Sequence, residues 1–358
     1  MAVILPDGHP AIKDLRQEGC NVIPASQAPK DNVVRVAVAN TMSNVIETET
    51  QFARAFAESD LNVELVFFSP STKIDTANSK IKSAREEIAS ETLTPEKIKA
   101  ARNTIEKEQH RLAHHKPFHD IQNDPKISGI VLTGFPGANL DLRQKTGPTD
   151  DKGNEFYNEF IDLLGYARGN NVPTLATCWA AHVALNHFYD IKRFKRDAKL
   201  TGIFELAVNN EGSPLVQGMD AQIQMPVSRY YYSDEEALKA ESNLNILASS
   251  EETGAAIVSE KQGSFIYMSG HLEYLANTLL KELLRDFKKN GMNADFPENI
   301  DIFHPKRTWA AANTAFYSNL ANLFNTLRRE NPATAHTIKP QRTNDRANAT
   351  HELAAAYR

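Results

Sequence analysis

With 358 residues, 41% of them hydrophobic and 24% charged, the chain has the makeup of a soluble globular protein large enough to bury a sizeable core. A net charge of −5 supplies no basic field for phosphate backbones, which argues against a nucleic-acid partner, and the Lys/Arg cluster at 192–196 reads as a solvated face. Two cysteines are too few for a disulfide framework, and no run approaches the roughly 20 apolar residues of a membrane span. The start of the chain carries no basic leader, so a cytoplasmic protein is expected.

In chain order, the first strand pattern is the β-branched run Val33–Ala39. A helix-like segment follows at 47–59, then a second apolar run at 61–68. Residues 73–115 are rich in Lys, Glu, Ala and Arg, with thin apolar content at Ile81, Ile88, Ile98, Ile105 and Leu112. This segment breaks at 92–96, where Thr94 can cap and Pro95 can open a helix, so residues 73–117 are expected to form a solvent-facing helical hairpin or lid. Runs at 127–133 and 172–177 read as strands, with a helix at 155–169 between them. Such alternation predicts an α/β fold with a mainly parallel sheet flanked by helices on both faces. Shorter runs at 245–248, 255–259 and 264–268 look hairpin-like and extend the sheet. A helix at 277–290 has the stripe Leu280, Leu283, Leu284 and Phe287. The polar tail, 330–358, is expected to be weakly ordered, leaving 1–329 as a single domain.

Cys178 stands at the carboxyl end of the 172–177 strand, directly before a run with the small and apolar residues of a buried helix start. A strand–nucleophile–helix turn lifts the side chain out of the sheet and aims free backbone N–H groups at the atom attacked. The helix N-terminus also favours the thiolate. Position alone leaves an inert buried cysteine equally open. Downstream, the apolar run 264–268 leads into Gly270, His271 and Glu273. Period-two geometry puts His271 and Glu273 on one side, and glycine permits the turn that exposes them. A thiol needs a base, and the base needs a carboxylate to hold its tautomer. The alternative is a structural histidine with a local glutamate. Arg285, off the stripe of its helix, is either a surface cation paired with Glu282 or Asp286 or a clamp for a substrate carboxylate, and spacing favours the surface pair.

Leu5-Pro-Asp-Gly-His9-Pro-Ala11, Ile46-Glu-Thr-Glu49, Leu132-Thr-Gly134, Cys178-Trp-Ala180 and the 199–205 segment Lys-Leu-Thr-Gly-Ile-Phe-Glu lie in order along the chain. Ser228-Arg-Tyr230, Gly270-His-Leu-Glu-Tyr274, Leu284-Arg-Asp286, Pro297-Glu-Asn299 and Thr308-Trp309 continue the series. Together, over most of residues 1–325, these motifs resemble the homoserine O-succinyltransferase family, which shares a flavodoxin-like fold with class I glutamine amidotransferases. The resemblance implies ping-pong acyl transfer from acyl-coenzyme A, succinyl or acetyl, to the hydroxyl of homoserine or serine, in methionine or cysteine synthesis. It implies that Cys178 forms the acyl-enzyme, His271 is the general base and Glu273 orients it. Lys199, Ser228 and Arg285 match substrate-binding positions. The backbone N–H of Trp179 is a candidate for the oxyanion hole. Small-molecule substrates, a homodimer, no bound cofactor and no metal are expected.

The chain also departs from the family pattern. Ser43-Asn44-Val45 stands where the family has a lysine pair, one of which polarises the reacting carbonyl, so Asn44 becomes a weaker donor there. Val227 replaces a common histidine. The loop that sets acyl preference carries Phe135, Gly137 and Ala138, and Ala138 leaves room for a larger acyl group. Rival readings are a glutamine amidotransferase, against which Ala176 and Ala180 stand where glycines are usual, and a catalytically lapsed homologue.

Overall fold

Short runs that are apolar on both faces, joined by helices, bury themselves best side by side in a parallel sheet covered above and below. The computed structural model describes residues 1–89, 94–135, 156–209, 212–261 and 263–330. Its first half contains β1 (Val3–Leu5), α1 (Ala11–Gln17), β2 (Val22–Pro24), β3 (Val33–Ala39), α2 (Val45–Phe56) and β4 (Asn62–Ser69). Then come α3 (Ser71–Ile88), α4 (Pro95–His114), β5 (His115–Pro117), β6 (Ile127–Leu132), α5 (Tyr157–Gly169), β7 (Thr174–Thr177) and α6 (Trp179–Tyr189). The second half adds β8 (Arg193–Val208), β9 (Gln222–Ser233), α7 (Glu235–Ala240), β10 (Leu244–Ser250), β11 (Gly254–Glu260), β12 (Phe265–Met268), α8 (Thr278–Asn290) and α9 (Ala310–Glu330).

The strands form one mixed sheet in the order β2-β1-β4-β3-β6-β7-β12-β11-β10-β8-β9, with β5 paired to β4. From β2 to β12 neighbours run parallel, and from β12 to β9 they run antiparallel. The expected α/β architecture, parallel core and hairpin-like extension are all present. Alternation along β3 builds both cores. Val36 and Val38 pack with Phe52 and Phe56 of α2 and Phe316, Leu320 and Phe324 of α9. Ala37 and Ala39 face the opposite layer, with Phe160 and Leu164 of α5 and Val183 and Ala184 of α6.

Two elements carry little signal in the sequence. The long β8–β9 hairpin begins in the exposed, charged stretch around Lys195, which hides its strand period. The second, α9, buries Phe316, Tyr317, Leu320 and Phe324, and its neighbours are elements far away in sequence.

Within the inserted segment, α3 and α4 pack against each other, and Thr94 Oγ accepts from the Lys97 N–H at 3.4 Å at the start of α4, with Pro95 as first residue. Much of the hairpin is exposed, but its inner face is not: Ala77, Ile81, Ala101, Glu108, His110 and Arg111 are buried. The polar residues among them are paired, Glu108 with Arg111 at 3.0 Å and His110 with Glu49 at 2.6 Å, which is why a polar sequence can lie against the core. Residues 136–155, including Gly137 and Ala138, and the tail from 331 lie outside the described residues. Among those described, no helix is long and apolar enough to cross a membrane.

Candidate active site

The peptide chain turns sharply between β7 and α6, and Cys178 occupies the turn with φ +52° and ψ −116°, a conformation a non-glycine residue adopts only under constraint. Its N–H is held by Met268 O at 2.7 Å, while its own carbonyl accepts from Ala181 N–H at 3.1 Å. This geometry leaves the thiol partly exposed at the carboxyl ends of the parallel strands, where open α/β sheets gather their ligands. The Trp179 N–H is the first of α6, where no intrahelical acceptor exists. Its indole is buried against Phe135 and Phe160, with ring centroids 5.4 and 5.1 Å away.

Strand β12 lies beside β7 in register, Met268 opposite Thr177, so the chain leaving β12 passes the thiol. The His271 N–H is anchored on Pro226 O at 2.8 Å, and its imidazole interacts with Cys178. Its Nδ1 lies 2.7 Å from Glu273 Oε1, which leaves Nε2 for the thiol. Both side chains are buried. Burial by itself lowers the imidazole pKa, but the Glu273 carboxylate and the interaction with Cys178 outweigh it and raise the value to about 10. Tyr274 stacks on the imidazole, centroids 4.2 Å apart and planes 16° apart. Tyr317, buried on the far side, also interacts with Glu273, although no hydrogen bond of ordinary length joins them.

Glycines permit two close approaches here. A Cβ on Gly134 would sit 3.3 Å from Cys178 Cβ and 3.7 Å from its sulfur, so the backbone there comes up to the nucleophile. A Cβ on Gly270 would collide with Met225 Sδ and lie 3.1 Å from Pro226 O. Gly270→Ala is therefore expected to push His271 off its anchor and cut turnover by about a hundredfold, the scale of a 1 Å misplacement. Unchanged steady-state kinetics in the purified variant would show that His271 tolerates the shift.

The structure draws Lys199, Ser228 and Arg285 around two carboxylates. Lys199 Nζ is 2.7 Å from Asp286 Oδ2 and 3.6 Å from Glu282 Oε2. The Ser228 hydroxyl donates to Glu282 Oε2, and Tyr274 OH donates to Glu282 Oε1 at 3.0 Å, which links this network to the ring on His271. Arg285, with a side chain 58% exposed, pairs with Asp286 at 3.0 Å and Glu282 at 3.8 Å, as its surface reading expects. The Asp286 carboxyl is harder to ionise through burial, yet its hydrogen bonds from Arg285 and Lys199 win and lower its pKa.

Asn44 is not joined to this group. It is exposed before α2, and its amide donates to Glu47 rather than toward the thiol. Phe135 packs its ring against Phe156 at 5.1 Å and belongs to the core. One cation that the sequence did not single out interacts with the thiol, and a second is joined to the loop beside it. Arg229 on β9 is buried, its charge interacts with Cys178, its guanidinium donates to Thr253 O, and its Nε has no partner among the described residues. Burial lowers its pKa to about 10 despite the opposing pull of the thiol. Lys73 of α3 donates to Thr41 O at 3.0 Å, and the Thr41 hydroxyl donates to Gly134 O, the residue against Cys178. Arg229 lies inside the Ser228-Arg-Tyr230 motif, but only packing reveals what it faces.

The sequence matches the homoserine O-succinyltransferase family over residues 2–83 and 79–327. It is 32% identical over 333 residues to a homoserine O-succinyltransferase of Pseudoalteromonas translucida, covering 90% of this chain and 93% of that protein. It is 29% identical over 329 residues to a homoserine O-acetyltransferase of Clostridium botulinum, covering 90% and 95%. Among solved structures it is similar to a glutamine amidotransferase of Thermotoga maritima, with 11% identity, TM-score 0.46, and 82% and 97% of the two chains covered. It is also similar to SMU.1228c, with 12% identity, TM-score 0.48, and 81% and 99% covered. With a match spanning nearly its whole described length, this chain belongs to the homoserine O-succinyltransferase family and is an enzyme of that family.

Proposed function

We propose that the enzyme moves a succinyl or acetyl group from acyl-coenzyme A to the side-chain hydroxyl of homoserine, or of serine, through a thioester on Cys178. The observation that carries this reading is the convergence of Cys178, His271 and Glu273 from two strand ends. The Cys178–His271 pair holds one proton, on the imidazole whose pKa is raised to about 10, as sulfur attacks the thioester carbonyl. The C–S bond to coenzyme A breaks, and that proton leaves with the departing thiol. His271 then takes the hydroxyl proton of the acceptor, whose oxygen attacks the Cys178 thioester and releases the ester, restoring the proton that imidazole and sulfur share. Glu273 holds the imidazole in one tautomer and offsets its positive charge. In this reading the Trp179 N–H and the backbone at Gly134, which comes up to Cys178, receive the tetrahedral oxyanion, and the Arg229 charge, which interacts with Cys178, supports it.

Exchange of one thioester for another is nearly balanced in free energy, so positioning and exclusion of water are the main tasks. We assign the 73–117 segment the role of a cover within a single 1–329 acyltransferase unit, supported by the reach of Lys73 from α3 to Thr41. Lys199, Ser228 and Arg285 hold the amino-acid acceptor, Arg285 through its carboxylate. Arg285→Ala is expected to raise the acceptor KM roughly tenfold to a hundredfold, the worth of one charge-assisted hydrogen-bonded pair of about 1.5–3 kcal/mol. Unaltered acceptor kinetics would leave Arg285 only its pairs with Glu282 and Asp286. Intact-protein mass spectrometry after mixing with succinyl- or acetyl-coenzyme A names the donor by the added mass, and an amino-acid panel names the acceptor that discharges it. A protein that gains neither mass while consuming either donor would overturn the covalent mechanism.

A further inference from the structure

We propose that Glu49, His110, His9 and His115 form a site for one divalent transition-metal ion of the zinc type at the root of the α3–α4 hairpin. None of these side chains takes part in the acyl transfer described above, and the sequence by itself leads to the expectation of no metal.

Glu49 lies in the middle of α2 and is fully buried. Its Oε2 is 2.6 Å from His110 Nε2 and 2.9 Å from His9 Nε2, and its Oε1 is 2.7 Å from His115 Nε2. All four side chains are at most 5% exposed. The ligand atoms of His9, Glu49 and His110 lie within 4.8 Å of one another.

A hydrogen-bonded anchor would need only one of these histidines. Packing three desolvated imidazoles onto one carboxylate is unfavourable unless each donates a proton or a shared cation lies between them. His115 does not meet the first condition. Its Nε2 is buried close to Glu49 Oε1 but lies outside hydrogen-bonding direction. Its Nδ1 is held by the Ser69 hydroxyl at 2.9 Å, which also accepts from Arg111, an orienting arrangement typical of the groups that surround metal-ligating histidines. Several imidazoles with a single carboxylate are the donor set of zinc and its neighbours rather than of calcium or magnesium. Zinc bonds of about 2.0–2.2 Å place tetrahedral ligands roughly 3.3 Å apart, so the contacts to Glu49 would lengthen on binding while His115, outside the group that lies within 4.8 Å, would draw in toward the other imidazoles. His9 would release the Ala11 N–H that its Nδ1 now accepts at 3.2 Å and carry its proton on that nitrogen.

The ion would join the segment before α1, the middle of α2 and the end of α4, and so fasten the hairpin to the sheet. Asn40, which donates to Glu49 Oε1 at 3.1 Å and accepts from the Met42 N–H at 3.0 Å, carries this clamp toward the loop beside Cys178.

The test uses the full chain, stripped with chelator and titrated with Co2+. One equivalent is expected to give the visible ligand-field bands of a four-coordinate site, Zn2+ should abolish them, and Zn2+ should raise the Tm of the stripped protein. In His110→Gln and His115→Gln, cobalt affinity should fall at least tenfold and the zinc-dependent Tm shift should vanish. Absence of saturable bands and of a zinc-dependent Tm shift in the unsubstituted protein overturns the proposal, whatever the variants do. Equal cobalt binding in both variants overturns it as well.

Discussion

Cys178→Ala is expected to carry no acyl adduct after incubation with acyl-coenzyme A and to lose turnover by roughly 10⁴-fold or more, as when a nucleophile is removed from an otherwise intact site. The substitution removes one sulfur from a partly exposed position and leaves the turn as it is, because alanine bears the same penalty at φ +52°. Stability should therefore change by no more than about 1 kcal/mol, and the far-ultraviolet spectrum and Tm report whether it does. Residual transfer near the unsubstituted rate, with the fold intact, would mean that the acceptor attacks the thioester of coenzyme A directly and that the cysteine is a bystander.

Glu273→Gln is expected to reduce kcat by about 10²–10⁴-fold while the enzyme still accepts substrate, because glutamine can bond His271 Nδ1 but cannot balance a developing imidazolium. The same substitution should alter the pH dependence of stability. With the carboxylate in place, the folded-state pKa of His271 is raised to about 10, above the ordinary 6.5. A raised value means that the proton binds the folded protein more tightly than the unfolded one. The associated stabilisation is fully present below pH 6.5, declines as pH rises, and is lost above about 10. Removing the carboxylate takes away the negative charge that most strongly counters the effect of burial on the imidazole. Denaturant unfolding of Glu273→Gln between pH 6.5 and 10 should therefore depend less on pH. Curves of equal slope in the two proteins would show that Glu273 does not set the charge of His271.

Local pattern carried much of the fold. The run Val33–Ala39 shows its strand character in its own β-branched residues, and the Thr94-Pro95 helix start works through contacts within one turn. The sequence also placed Cys178 at a strand end and His271 and Glu273 within three residues of each other. By contrast, 193–196 begins a strand while reading as a solvated charge cluster, because its cross-strand partners come from β9, 36 to 40 residues later.

What the sequence determined by itself was the α/β alternation, the nucleophile's turn and the His-x-Glu pair, all set by covalent neighbours and short-range backbone geometry. Only tertiary packing decided that the Arg229 charge interacts with Cys178, that Lys73 reaches Thr41, and that His9, His110 and His115 converge on Glu49. The physical reason is burial. Removing a polar side chain from water makes its nearest partner decisive, and that partner is chosen by which strands and helices pack together, which no local period of the chain encodes.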